Sequence, residues 1–240
     1  MIFPQPLEEA TLIRRYKRFL ADVQLADGSE ITLHCPNTGS MKNCQEPGSR
    51  VWYTDSKNPK RKYSCTWQIV EVANTHLVGI NTGLANGLVA EAIAANVIAQ
   101  LPGDAQISRE VSYGEQGSRI DLLLHYPATD AEAGCYVEVK NVSLGLGEGL
   151  GVFPDAVTTR GQKHLQELMA VRKAGHRAVL FFCVQHSGID RVAAADDIDP
   201  VYGELLREAA SQGVEVLAYR AGFDVGNSSI SLQTELPVLL

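Results

Sequence analysis

At Asn81-Thr-Gly83 the hydrophobic period of the chain changes from two to about 3.6. Upstream, the runs Arg18 to Ala26 and Glu30 to Cys35 alternate around Asp27-Gly28, a pair suited to a tight hairpin turn. Arg50 to Thr54 and Cys65 to Ala73 follow as further strands between polar, turn-rich segments. Downstream, residues 84–101 are alanine-rich with helical spacing and stop at Pro102-Gly103. The remaining elements read as strands Ile107 to Tyr113, Arg119 to Tyr126 and Tyr136 to Val142, a helix from Thr158 to Ala174, a strand from Arg177 to Gln185, a helix from Pro200 to Gln212, and a strand from Val214 to Tyr219. The chain is therefore expected to be a two-domain α+β protein. An all-β barrel or sandwich occupies 1–82, and an α/β domain with an αβββαβ core occupies 83–240.

Two strands of the second domain carry charges where core side chains are expected: Asp121, and Glu138 with Lys140. A charge held against a core costs several kcal/mol unless something pairs with it or uses it. Strand alternation puts Glu138 and Lys140 on one face, and pairing with the preceding strand brings Asp121 towards them. Two hard carboxylates suit magnesium or manganese, and the lysine could orient water and offset charge building on a phosphate. The competing account is a solvated Glu–Lys pair on a strand face. Glu91 is the only charged residue in 84–101, and a helical projection places it with Leu84, Leu88, Ala95 and Ile98. It is expected to face the core and join Asp121 and Glu138 around the metal. In the helix from Thr158, Arg160, Lys163 and His164 lie largely opposite Leu165, Leu168 and Met169, either as a phosphate-binding face or as the polar side of an ordinary amphipathic helix.

Other chemistries find no support. The segment Gly145 to Gly151 matches no nucleotide-cradling motif and reads as a flexible loop beside a site. There is no GxSxG or HExxH spacing. Five cysteines without a CxxC read as reduced thiols. The start MIFPQPLEEA lacks the pattern of a secretory leader and no run is long enough for a membrane helix, so a cytoplasmic location is expected.

The net charge of −7 is unevenly spread: residues 1–80 hold 10 basic and 8 acidic side chains, the rest 11 and 20. Basic residues cluster beside Tyr16 and Tyr63, and such charge with aromatic faces suits a nucleic-acid backbone, although surface solvation explains the clusters as well. The expected nucleic-acid contacts are Arg14, Arg15, Lys17, Arg18, Lys42, Lys60, Arg61 and Lys62, with Arg160 from the second domain.

Asp121, Glu138-Val-Lys140, the order αβββαβ and Gln162-Lys163 on the second helix resemble the PD-(D/E)XK nuclease superfamily. Longer stretches resemble the sugar fermentation stimulation protein A family of bacteria and archaea. These are Cys35-Pro-Asn-Thr-Gly-Ser-Met41, Lys60-Arg-Lys-Tyr63, Ser118-Arg-Ile-Asp121, Tyr136-Val-Glu-Val-Lys140 and Phe153 through Leu165. One departure is Ile120, where the superfamily pattern nominally has proline. The resemblance implies an N-terminal OB-fold barrel and a nuclease-like second domain. It also implies DNA binding, single- or double-stranded, and a role in regulating sugar (maltose) metabolism genes. It carries over Asp121, Glu138 and Lys140 as a catalytic trio, Glu91 as a helix carboxylate, and Arg160, Gln162 and Lys163 as second-helix supports. Two functions are expected from this: a DNA-binding protein with a magnesium- or manganese-dependent phosphodiesterase site, or a non-enzymatic DNA-binding regulator that keeps the fold. A pocket for a small phosphorylated ligand is a further reading, and a homo-oligomer is left open.

Overall fold

The computed structural model describes residues 1–114, 117–126 and 134–240. The first unit is built from β1 (Glu8–Tyr16), β2 (Leu20–Gln24), β3 (Glu30–His34), β4 (Arg50–Asp55), β5 (Cys65–Val72) and β6 (His76–Gly79). The β1–β2–β3 meander continues through β1–β4 and β4–β5, and a parallel bridge from His34 to Thr66 joins β3 to β5. Five strands thus close into the barrel that the sequence led us to expect. Leu12, Val23, Leu33, Val51, Trp67 and Val70 fill its interior. The hairpin turn forms at Asp27-Gly28, with Gly28 at φ +85 and the Asp27 carboxylate accepting from the Ser29 amide. Strand β1 was not foreseen: the basic residues 14–18 form its end and the following turn, where Lys17 and Arg18 take left-handed conformations.

The second unit opens with α1 (Ala85–Ala94), then β7 (Gln106–Tyr113), β8 (Ser118–His125) and β9 (Cys135–Val142). A short hairpin, β10 (Leu144–Gly145) and β11 (Leu150–Phe153), leads to α2 (Thr159–Lys173) and β12 (Arg177–Val184). The chain ends with β13 (Arg191–Ala194), α3 (Pro200–Ser211), β14 (Glu215–Asp224), β15 (Ser229–Glu235) and β16 (Val238–Leu239). The main sheet runs β15-β14-β12-β9-β8-β7, with β9, β12 and β14 parallel at its centre. Leu88, Val89 and Ile93 of α1 share a core with Val137 and Phe181 on one face. Leu165 and Leu168 of α2 and Tyr202 and Leu206 of α3 share one with Leu180 and Phe182 on the other. Strand β12 is buried over nearly its whole length, which is why its sequence shows no alternation.

Two local readings need correction. The first helix stops at Ala94 rather than continuing to 101, because Asn96 turns left-handed (φ +56) and the chain folds back to bury Ile98 and Leu101. The glycine-rich segment is a paired hairpin: β10 pairs with β11, which runs parallel to β13 in a second, four-stranded sheet.

The two units share structure. Trp52 and Ile69 of the barrel join the core under α1, and Val78 of β6 bridges to His186 beyond β12.

Candidate functional site

The site forms where two neighbouring strands part. The β8–β9 ladder runs from Leu124/Cys135 to Leu122/Val137 and goes no further. Asp121 is the next residue, and its Oδ2 accepts the Val139 amide at 2.8 Å in place of a ladder bond. Its Oδ1 accepts from Asn86 Nδ2 of α1 at 2.8 Å. Burial first, and then the charge of Glu138, push the Asp121 carboxyl above the ordinary range, against the pull of the Val139 amide, Asn86 and Lys140.

Glu138 is 2% exposed, on the face of β9 that looks at α2. Lys140, two residues on, places Nζ 2.6 Å from Glu138 Oε1. His164 of α2 brings Nδ1 to the same oxygen, and Arg160 Nε lies 3.4 Å from His164 Nε2. Arg160 has no lone pair to offer, so Nε2 must accept, which assigns the proton to Nδ1 and makes His164 a donor to Glu138. Burial raises the pKa of Glu138, but the bond from His164 and the charge of Lys140 outweigh it and hold the group below the ordinary range. The other oxygen, Oε2, is buried and has no partner among the described residues. Glu138 is therefore satisfied on one oxygen and bare on the other.

The register of α2 follows from its start. Thr158 caps the helix by accepting the Gly161 amide at 3.0 Å, and a Cβ on Gly161 would come within 2.7 Å of Thr158 and 3.2 Å of the Tyr202 ring. Asp199 caps α3 at the Tyr202 amide and also accepts the Thr158 amide, tying both helix starts together. One turn of helix then separates Arg160 from His164, so His164 meets β9 and the exposed Arg160 sits beside it.

The sequence-derived residues divide. Asp121, Glu138, Lys140 and Arg160 gather with His164 around the parting strands. Gln162 donates instead to both Asp199 oxygens, at 2.9 and 3.1 Å, and so braces α3. Lys163 is half-buried on the same helix. Glu91 contradicts its expected place: it is exposed and meets the N-terminal ammonium of Met1. Leu84, Ala95 and Ile98, which defined its stripe, lie outside α1, and Asn86 is the α1 residue that reaches Asp121. Among the described residues no three His, Cys, Asp or Glu side chains converge as a metal cage. Of the two carboxylates that could hold an ion such as magnesium, which keeps several waters, Asp121 already accepts on both oxygens and Glu138 has Oε2 without a partner.

On the barrel, Lys17, Arg18, Lys42, Lys60, Arg61 and Lys62 are exposed. Arg14 pairs with Asp22 at 2.9 Å and lies over the Tyr16 ring, and Lys62 lies over Tyr63. Arg15 is different: its guanidinium donates to the carbonyls of Arg18, Asn37 and Gly39, so it braces the β3–β4 loop rather than facing solvent. That loop docks on the second domain, where Ser40 donates to Asp155 and Asn43 to the Gly145 carbonyl.

Sequence reasoning missed Asn86 and Asp199, and it gave His164 only a place on a basic face. Asn86 did carry a signal, as a polar side chain in an otherwise apolar helix start.

Fold and site together define a two-domain protein: an OB-type barrel locked to a mixed α/β domain with a charged cluster at a strand parting. Residues 13–80 match the family model of the SfsA N-terminal OB domain, and residues 83–227 that of the sugar fermentation stimulation protein RE domain. The chain belongs to the sugar fermentation stimulation protein family. A sugar fermentation stimulation protein homolog of Teredinibacter turnerae is 60% identical and one of Shewanella loihica 57%, each over the full length of both chains. The solved structure of Pyrococcus furiosus SfsA in complex with Ca2+ is similar at TM-score 0.86 and 25% identity, covering 100% of this chain and 98% of that one.

Proposed function

We propose that the protein binds DNA and hydrolyses its phosphodiester bonds at the strand parting, in the manner of the PD-(D/E)XK nucleases. The observation that carries this reading is the one-sided pairing of Glu138, whose Oε2 is buried without a partner beside an Asp121 carboxyl held above its usual pKa. A binding-only surface gains nothing from two such carboxylates packed together. Asp121 and Glu138 would hold magnesium or manganese, which when bound neutralises phosphate charge and lowers the pKa of water. Lys140 orients the attacking water and offsets charge on the phosphate; His164 holds Glu138 in place; Arg160 contributes positive charge at the same edge. The exposed basic residues of the barrel hold the strand. The Ca2+ complex of the Pyrococcus relative supports a hard-cation site, since calcium prefers oxygen ligands. Family membership alone carries the connection with sugar metabolism genes.

The alternative, a DNA-binding regulator without hydrolysis, draws support from Glu91, whose exposure leaves two carboxylates rather than three. The test is incubation of labelled single-stranded and duplex DNA with wild type, Glu138→Ala and Lys140→Ala, in magnesium, manganese or chelator. Cleavage that needs metal and falls at least about a hundredfold in both variants supports the phosphodiesterase. Equal salt-sensitive binding by all three proteins, without cleavage, supports the regulator.

A further inference from the structure

A cavity of about 620 Å³ lies between α2 and the sheet, next to the site but not part of it. Its floor carries a row of rings: Tyr113 to Tyr136 at 5.7 Å and Tyr136 to His176 at 5.5 Å between centroids. Gln166 and Glu167 of α2 supply polar groups to its wall, and Lys173 lies at its far end. The Tyr113 hydroxyl and His176 Nδ1 are buried without a hydrogen-bond partner among the described residues. Burial and the nearby charges of Glu138, Glu167 and Asp121 all push the Tyr113 hydroxyl up, so it stays a donor.

The cavity and the site are in line. Tyr136, Glu138 and Lys140 are alternate residues of β9 and point to one face, so a step of about 6.6 Å takes Tyr136 to Glu138. On α2 the same direction runs from Glu167 to His164, one turn of helix. That step is close to the length of one nucleotide in an extended strand. Rings in a row offer stacking faces, and carboxylate and amide groups in the wall match the donors and acceptors of a base edge.

We infer that this cavity receives an unstacked base of the nucleic acid whose phosphate lies at Asp121, Glu138 and Lys140, so that the substrate is single-stranded or locally opened DNA. Tyr136 stacks on the base, and Glu167 and Gln166 meet its edge. The inference rests on the nucleic-acid reading above. Intact duplex keeps its bases paired and stacked, and is a poorer ligand for that reason.

The experiment uses full-length Lys140→Ala protein in magnesium, which leaves the strand uncut. A short labelled single strand is compared with a set of strands each lacking one base. Loss of the base at one position is expected to weaken binding about tenfold. Adding Tyr136→Leu should lower affinity for the intact strand to the same level and remove the dependence on position. Gln166→Ala, an exposed change that leaves the core untouched, should weaken the same position more mildly. Base loss without effect at every position, or a position dependence that survives both added changes, overturns the inference while the strand-binding reading stands. Failure to bind any strand at any salt concentration removes both.

Discussion

His164 Nδ1 lies 3.1 Å from Lys140 Nζ, and both reach the same oxygen of Glu138. The ammonium has no lone pair, and the imidazole proton is committed to the carboxylate, so the two nitrogens are rivals for one acceptor rather than partners. Their convergence on Oε1 holds the carboxylate and leaves Oε2 buried without a hydrogen-bond partner among the described residues. The result is a buried anion whose position depends on a residue of another element.

Removing His164 is expected to unsettle that anion. His164→Leu leaves buried Glu138 with Lys140 alone and should cost about 2 kcal/mol of stability. His164→Asn keeps a donor near the Nδ1 position and should recover part of it. Urea denaturation of the three proteins checks this; equal losses for Leu and Asn would mean that packing, not the hydrogen bond, sets the cost.

Asp121 should act against stability. Its carboxyl is held above the ordinary range, so the unfolded chain loses this proton at lower pH than the folded one. The folded state is therefore weakened as pH rises from the ordinary carboxylate range through the raised pKa. Asp121→Asn is expected to be more stable than wild type by roughly 1 kcal/mol at neutral pH, with the difference shrinking to nothing below the ordinary range. Stability curves of the two proteins against pH that run parallel would contradict this.

Asp199 should act with the opposite sign. Burial raises its pKa, but bonds from the Thr158 and Tyr202 amides and Gln162 more than offset this and hold it low. Its contribution is present above the ordinary carboxylate range and is lost as pH falls through the depressed pKa. Asp199→Ala removes the ties at both helix starts and should cost about 2 kcal/mol at neutral pH. Gln162→Ala should cost about 1 kcal/mol and leave any cleavage rate per folded molecule unchanged. A large loss of rate in Gln162→Ala would return that residue to the chemistry.

Salt should separate the barrel's basic residues. If Lys60, Arg61 and Lys62 each neutralise a phosphate, replacing all three by alanine lowers the slope of log affinity against log salt by about 2 to 3. Arg15→Ala should instead lower the melting temperature, because three backbone carbonyls lose their donor. An unchanged slope in the triple variant would move the DNA surface elsewhere.

Much of this fold can be read in local pattern. Alternation marks β2 and β3, polar turn-rich segments set off β4 and β5, the Asp27-Gly28 turn fixes one hairpin, and the period change after Asn81 separates barrel from α/β domain. Asp121, Glu138 and Lys140 stand out because charges in strand runs are costly and because alternation is a backbone property. Glu91 shows where such reading fails. Its apolar stripe assumed a helix to residue 101, and a left-handed Asn96 that no periodicity records ended the helix at Ala94. The glycine-rich hairpin escaped notice for a similar reason, since β11 is a strand by virtue of pairing with β13, some forty residues distant.

The sequence by itself determined which residues carry charge into the sheet and which face of β9 they share, because side-chain direction in a strand follows from position alone. Only the tertiary structure decided what meets them. His164 reaches Glu138, Arg160 reaches only His164, Asn86 reaches Asp121, and Gln162 turns to Asp199, because helix packing and the capping of α2 and α3 set the rotation of each helix against the sheet. Those rotations depend on contacts between distant segments, which a one-dimensional pattern does not contain.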